Sequence, residues 1–170
     1  TDIELETLAQ SWSEHCKHRI FAGELDDIKD GLFKHYIARA TFEILARPEK
    51  ESFCLSVFKD NAGAIRFDDH WMISDKVETH NSPSALDPYG GAMTGVVGVN
   101  RDCLGFGLGA QPIANRYGFC LADPENQDIL YRDAARTNPL PSAAAIDRGV
   151  VEGIEAGGNQ SGIPTTQGFF

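Results

Sequence analysis

The chain has 170 residues, of which 42% are hydrophobic and 24% charged, a balance that suits a globular domain with its own core and excludes a disordered or fibrous polymer. Its 15 basic and 25 acidic residues leave a net charge of −10, which disfavours a nucleic-acid groove because phosphate backbones select clustered cations. No apolar run approaches the roughly 20 residues of a membrane helix, and no basic segment followed by an apolar stretch opens the chain, so the reading is of a soluble cytoplasmic protein that contacts neither membrane nor nucleic acid.

Residues 2 to 16 place Leu5, Leu8, Ala9, Trp12 and Cys16 at helical intervals behind Thr1 and Asp2 as caps, predicting an amphipathic helix that delivers His15 near its end. A polar, acidic loop follows over 23 to 31. Phe33, Ile37, Ala40 and Ile44 then mark a second helix that Pro48 terminates. Alternation of Phe53, Leu55 and Val57 with polar neighbours, the turn residues 60 to 63, and then Ile65 and Phe67 predict a β-hairpin. Another strand is expected over 71 to 77, which leaves 78 to 84 at its end or on the loop leaving it, with Pro83 halting regular structure. Residues 92 to 100 read as helix, although Gly95 and Gly98 each weaken it by about 1 kcal/mol relative to Ala. A strand is expected over 113 to 122, then a connection over 123 to 141 that is long for a compact domain. A last helix over 143 to 156 has Ser142 as cap and Gly157-Gly158 as stop. The final residues show no closing element, so the chain reads as cut short. Length places all 170 residues in one α/β (α+β) domain.

The chemistry concentrates in Lys76 to Ser84 and in the glycine-rich run from Gly90 to Asp102. Glu78 and Asp102 are hard-oxygen groups able to share a magnesium ion with substrate phosphates. Lys76 can neutralise a phosphate, Arg101 can fork onto an anion, and His80 can handle a proton. Each has a commoner reading when taken alone: a surface carboxylate, a strand-end lysine, a hydrogen-bonded loop histidine. His15 and His18, three apart, form a possible metal pair, but a polar helix end whose cations meet the terminal carbonyls is the commoner arrangement. Cys16 sits on the apolar stripe and reads as packed and inert. The four cysteines, Cys16, Cys54, Cys103 and Cys120, contain no C-x-x-C pair and are expected to be reduced. No P-loop is present, and GFGLG at 105 to 109 is a weak nucleotide signal.

Taken in order, SEHCKH at 13 to 18, KVETHN at 76 to 81 with PSALDPYGGAMTG following, and GVNRD at 98 to 102 closely resemble formylglycinamide ribonucleotide amidotransferase, the phosphoribosylformylglycinamidine synthase of purine biosynthesis. GLGAQPIAN at 107 to 115 and GGNQSGIPT at 157 to 165 extend the resemblance over nearly the whole chain. It implies a ligase that uses ATP and Mg²⁺ to convert an amide to an amidine, with ammonia from a separate glutaminase domain or subunit. It also implies the N-terminal domain of an aminoimidazole ribonucleotide synthetase-like fold, in which a mixed sheet packed by helices is half of a β-barrel completed by pairing. Residue by residue, the resemblance makes His15 and His80 catalytic, Glu78 and Asp102 magnesium ligands, and Lys76 a nucleotide contact. Thr79, His80, Asn81, Ser82 and Arg101 become substrate contacts. Where the family usually reads His-Asn-His-Pro, this chain has Ser82, which can hydrogen-bond but cannot carry positive charge near neutral pH. The expectation is a synthetase first domain that needs the remaining synthetase domains to turn over and pairs with itself in isolation. The alternative is a non-catalytic ligand- or partner-binding domain that keeps the fold.

Overall fold

The computed structural model describes residues 1–11, 19–47 and 53–170. They group into two compact units, Thr1–Cys54 and Leu55–Phe170, where length alone suggests one domain.

In the first unit, α1 (Asp2–Ser11) starts behind Thr1, whose hydroxyl accepts from the Glu4 amide at 3.3 Å and donates to the Glu4 carboxylate at 2.9 Å, a reciprocal cap that satisfies an orphan helix donor. The rest of the helix expected over 2 to 16, with His15, Cys16 and also His18, lies outside the described residues. After the four-residue α2 (Arg19–Ala22), the expected loop is pinched by mutual backbone bonds between Leu25 and Ile28. The second helix is present, but its first part, Phe33–Ala38, is π-helical before it tightens into α3 (Arg39–Leu45).

A sheet that begins at the boundary residue Cys54 and continues into the second unit has the order β1 (Cys54–Ser56), β2 (Gly63–Arg66), β3 (Met72–Asp75). β2 and β3 are antiparallel, with Ala64 opposite Ser74 and Ile65 opposite Ile73. Directly opposed residues share a face. Ala64 is buried and Ser74 lies close to Cys103, so that face is covered; Ile65 on the other face is 38% exposed, and Phe67 and Trp71 beyond the strand ends are more so.

Four expectations need correction here. The run after β3 is not all loop, because Asn81–Leu86 forms α4. Pro83 falls within its first turn, where the amide hydrogen it lacks would be unsatisfied anyway. The helix expected over 92 to 100 is longer: α5 spans Pro88–Gly105, with Asp87 accepting from the Gly90 amide at 3.3 Å and Pro88 at its first position. Gly157-Gly158 does not stop the last helix, since α6 (Ala143–Gly158) runs through them into a 3₁₀ turn (Asn159–Ser161) and ends at Gly162, whose φ of 71° is left-handed. Gly157 is kept for packing, because a Cβ there would lie 3.2 Å from Met93, and one on Gly153 would strike the Tyr89 carbonyl. Lastly, the C-terminal residues do close an element: β5 (Thr165–Phe169) pairs in parallel with β4 (Asn115–Gly118).

The long connection over 123 to 141 is held by its own polar groups. Asp133 accepts from the Thr137 amide at 3.1 Å and the Asn138 amide at 2.8 Å, and Arg132 reaches back to the Leu86 carbonyl at 3.0 Å. Ala92, Val96 and Val150 are buried on α5 and α6. The architecture is therefore mixed α/β, but its strands form a small three-stranded sheet and a separate parallel pair rather than one sheet, with no closed barrel among the described residues. No helix there is long and apolar enough to cross a membrane.

Candidate functional site

Beyond β3, residues 76–80 take up neither helix nor strand before α4 begins, and their contacts alternate along the chain. Ser74, Lys76, Glu78 and His80 share the side that meets α5. Along a helix, positions three and four apart share a face, and α5 offers Asp102, Gly98, Gly95 and Gly91 in that register. The two periodicities mesh in antiparallel order. Lys76 Nζ lies 3.0 Å from Asp102 Oδ2. The Glu78 carboxylate lies over Gly98, 3.7 Å from where a Cβ would be, and His80 lies over Gly95, whose Cβ would come 3.0 Å from His80 Cβ. At Gly91 a Cβ would meet the Pro83–Ser84 backbone at 2.5 Å. These glycines, which weaken the helix on propensity alone, make room for the run that carries the chemistry.

Glu78 Oε2 also lies 3.8 Å from Lys76 Nζ, so two carboxylates from different elements converge on one ammonium. The side chains of Lys76, Glu78 and Asp102 keep only 14%, 28% and 18% of their exposure. Water screens them less than it screens the Asp75–Arg116 pair, whose side chains are 71% and 59% exposed. Next to them, burial pushes the Cys103 thiol above its ordinary range, partly opposed by the neighbouring Ser74 hydroxyl; the neutral thiol is the favoured form. His80 caps α4 only through its backbone, its carbonyl accepting from Ser84 Oγ at 2.5 Å, and its ring Nδ1 is buried with no hydrogen-bond partner.

The structure thus brings together Lys76, Glu78, His80 and Asp102. It leaves Thr79, between Glu78 and His80, exposed. Asn81 and Ser82 are exposed in the first turn of α4, and Arg101 is exposed on α5; His15 lies outside the described residues. No set of three or more His, Cys, Asp or Glu able to cage a metal occurs among the described residues. The Glu78 and Asp102 pair nonetheless fits Mg²⁺, which takes one or two carboxylates and completes its shell with water and phosphate oxygens. Sequence reading missed the seating role of Gly91, Gly95 and Gly98, whose spacing against K-x-E-x-H was the available signal. It also missed Asn115 and Tyr117, whose Nδ2 and Oη are buried without partners. In the first unit a shallow depression of about 290 Å³ is lined by His35, Tyr36 and Arg39 among others, but Arg39 pairs with Glu43 at 2.7 Å and His35 with Asp30 at 3.1 Å, so its charges are already matched.

Gly95→Ala separates seating from stability. The methyl gains about 1 kcal/mol of helix propensity and forces the His80 ring to give by a few tenths of an ångström. Denaturation midpoints are expected to stay close to those of the parent, while the His80 imidazole resonances shift in NMR spectra. Unmoved resonances would show that Gly95 does not position the ring.

Residues 59–169 match the family model described as AIR synthase related protein, N-terminal domain, and residues 1–19 match the formylglycinamide ribonucleotide amidotransferase linker domain. Among curated proteins, the phosphoribosylformylglycinamidine synthase subunit PurL of Picrophilus torridus is 36% identical over 168 residues, covering 99% of this chain and 19% of that protein. The PurL subunits of Thermoplasma volcanium and Mycobacteroides abscessus are each 34% identical, over 98% and 99% of this chain and 18% of theirs. The chain spans about a fifth of the length of these relatives. With the match to residues 59–169 covering well over half of its length, the chain belongs to the AIR synthase related protein family through that family's N-terminal domain.

Proposed function

We propose that this chain contributes the N-terminal part of a synthetase that converts formylglycinamide ribonucleotide to formylglycinamidine ribonucleotide in purine biosynthesis, using ATP, Mg²⁺ and ammonia released from glutamine. The observation that carries the reading is the convergence of Glu78 and Asp102 on the ammonium of Lys76, with His80 seated one helical turn from Glu78 on the same face of α5. When bound, Mg²⁺ offsets negative charge on phosphate oxygens. Glu78 and Asp102 hold it. Lys76, on a flexible four-carbon stem, supplies a further positive charge to the phosphates, and exposed Arg101 grips a substrate anion by its planar fork. His80, with a ring nitrogen free of protein partners, takes up or returns a proton as the amidine forms. His15 completes the catalytic pair, with Thr79, Asn81 and Ser82 as substrate contacts.

Isothermal titration of the 170-residue chain tests this reading: ATP is expected to bind only when Mg²⁺ is present. ATP binding of equal strength in EDTA would remove its basis.

Turnover requires partners, in this reading the remaining synthetase domains and a glutaminase domain or subunit in the cytoplasm. The apolar sheet face bearing Ile65, flanked by Phe67 and Trp71, suits pairing with a like domain into a barrel, and in isolation a two-fold homodimer. Sedimentation at micromolar concentration is expected to show a dimer that Ile65→Glu converts to a monomer. An unchanged association state in that variant would place the contact elsewhere.

A further inference from the structure

The acidic pair is already occupied by a cation of the chain's own. Lys76 Nζ lies within ion-pair reach of both carboxylates, 3.0 Å from Asp102 Oδ2 and 3.8 Å from Glu78 Oε2, and the Lys76 side chain is the least exposed of the three. A divalent ion held by the same two carboxylates needs the space that the ammonium fills, and like charges at such separation repel strongly in a partly dehydrated site. The lysine stem is flexible and rooted at the end of β3, so its head can leave while its backbone stays in register. We propose that Lys76 is a placeholder cation: it keeps Glu78 and Asp102 together before metal binds, and the arriving divalent ion displaces its ammonium towards incoming phosphate.

The proposal rests on the assignment of Glu78 and Asp102 as metal ligands and adds two consequences. Lys76 lowers the intrinsic metal affinity of the pair, and it couples metal binding to anion binding. Such coupling is reciprocal, so phosphate that draws Lys76 away must also tighten metal binding.

The test uses the 170-residue chain, with Mg²⁺ alone and inorganic tripolyphosphate as probes in isothermal titration. Lys76→Met keeps most of the apolar stem and removes the charge. It is expected to bind Mg²⁺ about fivefold or more tightly than the parent, the lower end of ordinary site-to-site coupling, and to lose the Mg²⁺-dependent gain in tripolyphosphate affinity. Equal or weaker Mg²⁺ binding by Lys76→Met would overturn the proposal. In the unmutated protein, the Lys76 side-chain nitrogen resonance is expected to shift on Mg²⁺ addition; a resonance that stays put while Mg²⁺ binds would overturn it too, whatever the folding of the variant. Glu78→Gln and Asp102→Asn distinguish the two levels. If neither weakens Mg²⁺ binding, or if the parent and Lys76→Met both fail to bind it, the metal assignment itself falls. If both weaken it and Lys76→Met does not tighten it, only the displacement falls.

Discussion

Gly91→Ala is expected to destabilise the chain by about 1–3 kcal/mol in urea denaturation, the usual cost of forcing atoms into a filled site, although alanine raises helix propensity by about 1 kcal/mol. Gly91 is buried within α5, and a Cβ on it would lie 2.5–2.6 Å from the backbone of Pro83 and Ser84. Backbone cannot turn aside as a side chain can, and the ring of Pro83 removes one of the soft dihedrals through which the clash would relax. The relief available is a displacement of α4 from α5, which drags His80 and Glu78 out of register with Gly95 and Gly98. Gly105→Ala, on the same helix with nothing within 4 Å of its Cβ, supplies the control and is expected to stabilise by about 0.5–1 kcal/mol. Equal stabilities of the two variants would mean that α4 does not rest on Gly91.

Asp102→Asn is expected to weaken Mg²⁺-dependent ATP binding by tenfold or more, about 1.4 kcal/mol, measured by titration calorimetry. The substitution keeps the side-chain shape and removes the charge closest to Lys76, leaving the ammonium facing Glu78 at 3.8 Å. Since the group is partly buried, a stability loss of about 1–2 kcal/mol should accompany it, in the range for a lost hydrogen bond to a charged partner. Asp75→Asn tests whether charge alone matters. Asp75 pairs with Arg116 at 2.9 Å on the open surface, where such pairs are worth about 0–1 kcal/mol, and its loss should leave ATP binding unchanged. Comparable losses of ATP binding from Asp75→Asn and Asp102→Asn would indicate a general charge effect in place of a metal site.

Much of the local structure was legible because its causes are local. Ser142 caps α6 through the Ala145 amide at 3.3 Å, and the turn residues before Gly63 separate β1 from β2 as their chemistry requires. The misreadings share a different cause. Gly95 and Gly98 carry a propensity penalty that packing overrides, since the helix gains more by admitting His80 and Glu78 than it loses in backbone entropy. Gly157 was read as a stop because its partner, Met93, lies on another helix. β5 was missed because residues 165 to 169 have little alternation of their own and owe their extended form to the parallel partner β4. Thr79 shows the limit of a motif: KVETHN names neighbours in the chain, yet Glu78 and His80 rest against α5 while Thr79 between them is exposed.

The sequence by itself determined the chemical inventory: Lys76, Glu78 and His80 at alternate positions of one run, and Asp102 closing a glycine-rich run that reads in part as helix. Those properties follow from residue type and from the two backbone periods, neither of which needs the rest of the chain. Only the tertiary structure decided that Glu78 and Asp102 meet on the ammonium of Lys76, and at which turn of α5 each residue of the run is seated. That register is set by close packing of α4 on Gly91 and of β3 beside Cys103, contacts between segments distant in the chain, and a one-residue slip would send Lys76, Glu78 and His80 to the opposite side.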